Sequence, residues 1–510
     1  MLAAIRSAAV VGIEAVIVTV EVDAARGLPN WTIVGLAAGA VKESRDRVCA
    51  ALANSGFLLP PRRVTVGLAP GDLPKSGTAY DLPIALAYLA ATGQLPFNSL
   101  DGLVVAGELG LDGSIRAVRG VLSMAREAAV ADTAAFIVPP QNVPEARLVG
   151  RLVVSTSATL GGLVAMIRRG RPVEAPPVPT CVAGGAPAED FADVVGQDVA
   201  KRALEIAAAG AHACLLIGPP GTGKTMLARR LPSILPALGR NEALEATAIH
   251  SVAGLLPRTG GLLPARPFRA PHHTVSAAGL VGGGSMPRPG EVSLAHNGVL
   301  FLDELLEFPR HVLEALRQPL EDGRVVIVRS MMSVAFPARF TLVAAANPCP
   351  CGHAGDPTRS CRCTDTEVAR YRGRLSGPLA DRLDMHVTVG AVSLRALGAR
   401  SVEERSATVR ERVERARERQ RERYRSLAGT DVNARVPGRW LDAHGGVERT
   451  AREQLAMAAE RLALSARAYH RVLRVARTVA DLDGEETVGE RAVLEALTYR
   501  PAERDVVCAG

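Results

Sequence analysis

The sequence predicts an α/β multidomain chain that finishes in a helical region, and three observations carry that expectation. The first is the octet Gly218-Pro219-Pro220-Gly221-Thr222-Gly223-Lys224-Thr225. It is a complete G-x-x-x-x-G-K-[ST] pattern, set between the apolar run Cys214 to Ile217 and a helix-like run from Met226 to Leu231. The second is Val299 to Leu302, an apolar strand that ends in Asp303-Glu304. The third is an alternation of strand-like and helix-like segments over roughly the first 168 residues, the period expected of an α/β domain.

Strand, glycine loop and helix are the context in which the octet binds phosphate. Its glycines let successive backbone N–H groups face inward, and the helix N-terminus adds favourable dipole charge. Lys224 is then placed for the β- and γ-phosphates, and the Thr225 hydroxyl for magnesium. Asp303 fits a magnesium-orienting aspartate and Glu304 a base that polarises the attacking water. A third strand, Phe340 to Ala346, ends in Asn347, a polar group placed to orient that water. The expected cofactors are ATP and Mg2+, with Gly218 to Thr225 as the binding loop.

At 510 residues, two to four domains are expected. Hydrophobic residues make up 48% and aromatics only 3%, so the core is aliphatic and rich in alanine. The net charge of +8 permits an anionic partner without requiring one. No apolar run approaches the ~20 residues that span a bilayer. The stretch Ala8 to Val20 is apolar but carries Glu14 and lacks the layout of a signal peptide. It reads as strand, and the expected location is cytoplasmic. Eight cysteines, four of them clustered, do not resemble a secreted disulfide framework.

Taken in order, Val16 to Val22 is a strand and Ala40 to Ser55 a helix stopped by Gly56. Arg63 to Leu68 is a strand, and Asp81 to Thr92 an apolar helix that tolerates Pro83 in its first turn. Leu103 to Leu109 reads as one strand, followed by the turn Asp112-Gly113. Val121 to Ala131 is a helix, and Phe136 to Val138 and Leu152 to Val154 close the domain.

Pro74 to Asp81 and Ala106 to Gly113 resemble segments of the Lon-protease proteolytic fold. Carried over, the serine nucleophile of active Lon proteases falls on Ala79 and their lysine base near Leu122. Neither side chain can act as nucleophile or base. Ser76 and Lys75 stand at other positions of the pattern. The resemblance therefore implies a shared fold without protease activity. The Pro-, Gly- and Ala-rich residues 171–189 read as a linker. Phe191 to Gln197 and the helix after them resemble the adenine-side segment of AAA+ proteins.

Further on, the paired His272-His273 suggest a structural or pore-loop role rather than a metal, because no second ligand cluster accompanies them. Gly279 to Ser285 read as a mobile insertion in a helix, Pro309 to Leu320 as a helix, and Arg324 to Arg329 as half of a β-hairpin.

Arg266 to Thr274, Arg288 to Glu291, Leu302 to Leu305 and Ala346 to Gly352 resemble the YifB/ComM family of magnesium-chelatase-like AAA+ ATPases, and the likeness covers nearly the whole chain. The resemblance implies a Lon-protease-like α/β N-terminal domain (1–170), an AAA+ P-loop ATPase core (190–395) and a C-terminal helical lid (396–510). It implies a ring, hexameric by expectation, whose hairpins point at the pore. It also implies that Arg382 acts on a neighbouring subunit's nucleotide and that Arg467, in the lid, senses it. The activity it implies is ATP-driven DNA branch migration in recombination or natural transformation. A MoxR-like protein-remodelling chaperone and a metal-chelatase-type motor are the alternatives. The chain has no sequence-reading DNA module, so contact with single-stranded or branched DNA is expected to be backbone-directed and salt-sensitive.

Cys349, Cys351, Cys361 and Cys363 form two close pairs that suit tetrahedral zinc, the alternative being reduced cysteines without metal. The arginine- and glutamate-rich run from Arg400 to Arg425 reads as a solvated helix with i,i+4 pairs. Helices are expected at 447–464, 465–481 and 487–498.

Overall fold

The computed structural model describes residues 1–170, 174–176, 189–257, 261–329, 332–356, 359–392 and 403–500. Two sheets organise them. The first is seven-stranded, in the order β3-β4-β2-β1-β5-β8-β9. Its strands are β1 (Leu2–Val11), β2 (Glu14–Ala25), β3 (Asn30–Val34), β4 (Arg63–Ala69), β5 (Leu103–Val105), β8 (Ala135–Ile137) and β9 (Val154–Ser155). A small separate hairpin joins β6 (Glu108–Leu109) and β7 (Ile115–Arg116) around Asp112-Gly113.

β1 and β2 alternate buried and exposed residues and pair antiparallel from Leu2↔Asp23 to Val11↔Glu14. The apolar stretch Ala8 to Val20 is thus two strands, not one, because Gly12 at φ +66° turns the chain between them. The helix Asp81–Ala91 packs across β1 and β2 with every residue buried. The expected strand Leu103 to Leu109 breaks after Val105. There Gly107 leaves the sheet to bond the start of that helix, donating to Ala79 O at 3.0 Å and accepting from Leu82 N at 3.1 Å. A side chain at Gly107 would meet Leu82 Cδ2 at 2.9 Å. The edge strand β3 was not foreseen.

The second sheet is five-stranded and wholly parallel, in the order β11-β14-β17-β10-β18. Its strands are β10 (Cys214–Ile217), β11 (Phe268–Arg269), β14 (Val299–Leu302), β17 (Thr341–Ala346) and β18 (Met385–Thr388). β14 and β17 are buried along their whole length, as continuous apolar runs covered on both faces should be. Between β11 and β14 lie two short helices, Ala277–Val281 and Glu291–Leu294. They flank a hairpin of β12 (Gly282–Gly283) and β13 (Arg288–Pro289). A second hairpin pairs β15 (Arg324–Arg329) with β16 (Met332–Pro337). The expected helix Pro309 to Leu320 is instead two pieces, Arg310–Glu314 and Arg317–Asp322. Pro319 has no N–H to give the Ala315 carbonyl, so the first piece cannot run through it.

The C-terminal helices Ser406–Arg423, Gly438–His444, Arg449–Arg461, Ala466–Asp483 and Glu490–Thr498 share one core with the parallel sheet. The arginine-rich helix is not a solvated one. Val409, Val413, Ala416 and Gln420 are buried against the helices Asp198–Gly210 and Lys224–Ile234. Two of its arginines reach main-chain carbonyls of the neighbouring helices: Arg410 bonds Ser233 O and Arg417 bonds Ala208 O. Arg412 pairs with Glu205 across the contact.

The two sheets are joined. The helix Val121–Val130 packs on Arg240–Ala253, and Glu145 accepts from Leu122 N at 2.7 Å and from the Ser251 hydroxyl. Val11 and Ile13 lie against the core that contains Val334 and Phe336. Most of the expected linker 171–189 lies outside the described residues. Within it, Glu174 bridges to Ser155 and Ala175 is buried beside β9, so this piece packs on the first sheet.

Candidate nucleotide site

Gly221 and Gly223 adopt φ +80° and +87°, a conformation that costs glycine little. A Cβ on Gly218 would sit 2.1 Å from Val389 O, so only glycine fits there. The Thr222 hydroxyl ties the loop to Pro219 O at 2.9 Å, and Gln197 Nε2 donates to Thr222 O at 3.2 Å and Gly390 O at 2.7 Å. Sequence reasoning placed Gln197 only in an entering segment and missed this brace.

Lys224 Nζ lies over the loop, donating to Gly218 O at 2.7 Å, Pro219 O at 2.8 Å and Asn347 Oδ1 at 3.4 Å. Burial pulls its pKa down, while Asp303 and Glu304 push it up. The Thr225 hydroxyl donates to Asp303 Oδ2 at 2.8 Å. These hard oxygens suit Mg2+. The octet follows β10, Asn347 ends β17 and Asp303 ends β14, so three adjacent strands deliver them to one edge of the sheet.

Glu304 N–H donates to Asp303 Oδ1 at 3.0 Å, while the Glu304 carboxylate faces His273 Nδ1 at 3.3 Å. The His273 ring lies tilted against His272 at 4.0 Å and meets Phe308 edge-on at 6.4 Å. His273 thus stands at the carboxylate, while His272 Nδ1 lies 2.9 Å from Thr274 Oγ1. β11 pairs with β14, and that pairing carries the chain after Arg269 past the strand's acidic end.

The four cysteine sulfurs lie within 4.8 Å of one another. The segment that holds them follows Asn347 directly, and Gly352 rests on Pro220 of the phosphate loop, where an added Cβ would meet Pro220 Cδ at 2.7 Å.

Arg382 and Arg467 do not join this group. They line a cavity of about 610 Å³ at the opposite end of the sheet, beside Ala213. Ala213 and Gly218 are five residues apart along β10, about 16 Å. Arg382 bonds Glu321 and Pro378 O, and Arg467 is exposed. In the first sheet, Ala79 and Leu122 are both buried. Lys75 is buried, bonding Pro70 O, and Ser76 is exposed. No helix among the described residues is long and apolar enough to cross a membrane.

Residues 190–397 match the family profile of magnesium chelatase, subunit ChlI. Residues 20–142 match that of subunit ChlI of Mg-chelatase, and residues 403–500 that of its C-terminal part. An uncharacterized protein of Mycobacterium tuberculosis is 47% identical, over 97% of this chain and 97% of its own length. The uncharacterized protein YifB of Escherichia coli is 44% identical, over 99% and 98%. The competence protein ComM of Haemophilus influenzae is also 44% identical, over 98% and 97%.

Proposed function

Because the chain belongs to the YifB/ComM family of magnesium-chelatase-like AAA+ ATPases, we propose that it is a ring-forming motor that spends ATP to move branched or single-stranded DNA. One observation carries the mechanism: the phosphate loop and the arginines lie at opposite ends of one parallel sheet. In a head-to-tail ring, each copy then supplies Lys224, Thr225, Asp303, Glu304 and Asn347 to a nucleotide. Its neighbour supplies Arg382, and Arg467 from the same cavity accompanies it. Thr225 and Asp303 would hold Mg2+, which when bound would neutralise phosphate charge; Glu304 and Asn347 orient water, and the arginines stabilise charge that develops on the γ-phosphate.

The DNA assignment is supported by the relative named for competence and by two hairpins that touch. Arg329 Nε donates to Gly284 O at 3.2 Å, and Val328, Arg329 and Arg288 are exposed there. Cationic tips suit a phosphate backbone. The N-terminal sheet, Lon-like in sequence with no nucleophile or base at Ala79 and Leu122, serves as a collar. The C-terminal helices serve as the lid, and the four cysteines hold one structural zinc.

The test is ATP turnover with forked, single-stranded and no DNA, followed by ATP-dependent movement of a four-way junction. Arg382→Ala should bind ATP yet lose on the order of 10³-fold in turnover. Mixing it with Lys224→Ala, which cannot bind nucleotide well, should restore part of it. Turnover raised by a protein substrate and not by DNA would replace the motor with a remodelling chaperone.

A further inference from the structure

We propose that Asp384 is a positioning residue that locks Arg382 and Arg467 into one rigid unit for use on a neighbouring copy's nucleotide; this rests on the shared-site reading above. Asp384 lies two residues after Arg382 and leads directly into β18. Its carboxylate is buried, and groups from two other parts of the chain converge on it. Oδ2 accepts from Ala213 N at 3.1 Å and faces His212 Nδ1 at 3.3 Å. Oδ1 accepts from Arg471 Nη1 at 3.2 Å.

His212 and Ala213 open β10. Arg471 stands on the helix Ala466–Asp483, four residues after Arg467 and so on the same face. The other His212 nitrogen, Nε2, reaches Thr478 Oγ1 at 2.7 Å, two turns further along that helix. One carboxylate thus pins the Arg382 segment to the base of the sheet and to the helix that carries Arg467. The Arg382 side chain does not fix itself this way. Among the described residues it is held by Glu321 and Pro378 O alone, and its Nε is buried with no acceptor among them. Its anchoring therefore comes from the backbone two residues on. Charge points the same way: Arg382, Arg467, Arg471 and Arg474 crowd one cavity, and Asp384 is a buried anion among them that offsets their repulsion.

Asp384→Asn keeps the shape but loses the charge and turns one acceptor into a donor. Its own phosphate loop is untouched, so the KM for ATP should hold within about twofold while kcat falls on the order of 100-fold, the scale of a 1 Å misplacement. The decisive measurement is complementation in mixed full-length assemblies. Lys224→Ala chains carry an intact arginine pair, so adding them should restore turnover to Asp384→Asn chains, as to Arg382→Ala chains run alongside. A merely unfolded variant could not be rescued. Arg471→Gln, which removes a single tie from the surface side, should show the same split and the same rescue, and it stands in if Asp384→Asn does not fold. Rescue of Arg382→Ala without rescue of either of these variants would overturn the assignment, as would a wild-type kcat in both. If Arg382→Ala itself is not rescued, the shared site fails first, and this inference falls with it.

Discussion

Glu304 holds a left-handed backbone in the nucleotide site. It sits at φ 51°, ψ 48°, a left-handed conformation that costs a residue with a side chain on the order of 1–3 kcal/mol. The strand before it and the turn after it hold it there, and the result is a carboxylate aimed off the end of β14 toward His273. Glu304→Gln should keep ATP binding and lose ~10²–10⁴-fold in turnover, measured by single-turnover hydrolysis. His273 Nδ1 lies 3.3 Å from that carboxylate, close enough to restrain it. His273→Ala should raise turnover without DNA and shrink the stimulation by DNA, with the KM for ATP unchanged. Unaltered basal turnover would remove the restraint from the mechanism. Asp384 bears on pH as well. Burial would raise its pKa, but the bonds from His212, Arg471 and Ala213 hold it well below the carboxylate range. An acid with a depressed folded pKa contributes stability that is present above its unfolded pKa, about 3.9, and lost as pH falls below it. Acid unfolding of Asp384→Asn should therefore begin from lower stability and lose less of it below about pH 4, which urea titrations from pH 6 to pH 2 would show.

Among the elements, the arginine-rich helix departs furthest from its expected setting. Arg417 gives two bonds, at 3.0 and 2.7 Å, to Ala208 O, a carbonyl left open at the end of the helix Asp198–Gly210. Arg415, two residues away, is exposed and among the described residues bonds Glu411 O of its own helix alone. Arg417→Met should cost about 2–3 kcal/mol in denaturant unfolding, and Arg415→Ala less than about 0.5. Composition cannot separate these two residues, since only packing decides which face meets the sheet. The same division runs through the whole chain. The phosphate loop, the strand ending in Asp303-Glu304, the strand ending in Asn347 and the hairpin begun at Arg324 were legible because their signals are local and their spacing strict. The cysteine cluster was legible from two close pairs. His273, Gln197 and the joint at Glu145 were not, since each meets its partner only after strands distant in sequence pair. β3 alternates but spans only five residues, none of them buried, which is too short a signal to stand out. The cysteine segment makes its own prediction. Metal analysis should find about one zinc per chain by the four-ligand rule, and chelation should weaken ATP binding through Gly352 and Pro220. Metal-free protein with full activity would dismiss the zinc.

Across the whole molecule, the first sheet is fastened to the second through a buried carboxylate. Burial raises the Glu145 pKa, against the bonds it accepts from Ser251, Leu122 and Asn142. An acid whose folded pKa is raised makes the protein less stable as pH rises from its unfolded value, about 4.3, through the folded one. Glu145→Gln should flatten that part of the thermal stability curve, and a curve of unchanged slope would show that the joint does not titrate. Leu122 offers its backbone N–H to this joint. If the arginines serve a neighbouring copy's nucleotide, as proposed, the opposed ends of the parallel sheet also decide how copies must assemble. Two copies that met face to face, each showing the other the same end, would assemble and yet complete no site at all. An open row of copies would always leave one nucleotide at its terminus without arginines, however long the row grew. Only closure on itself abolishes the idle end, so on that reading a circle has one more working engine than a line.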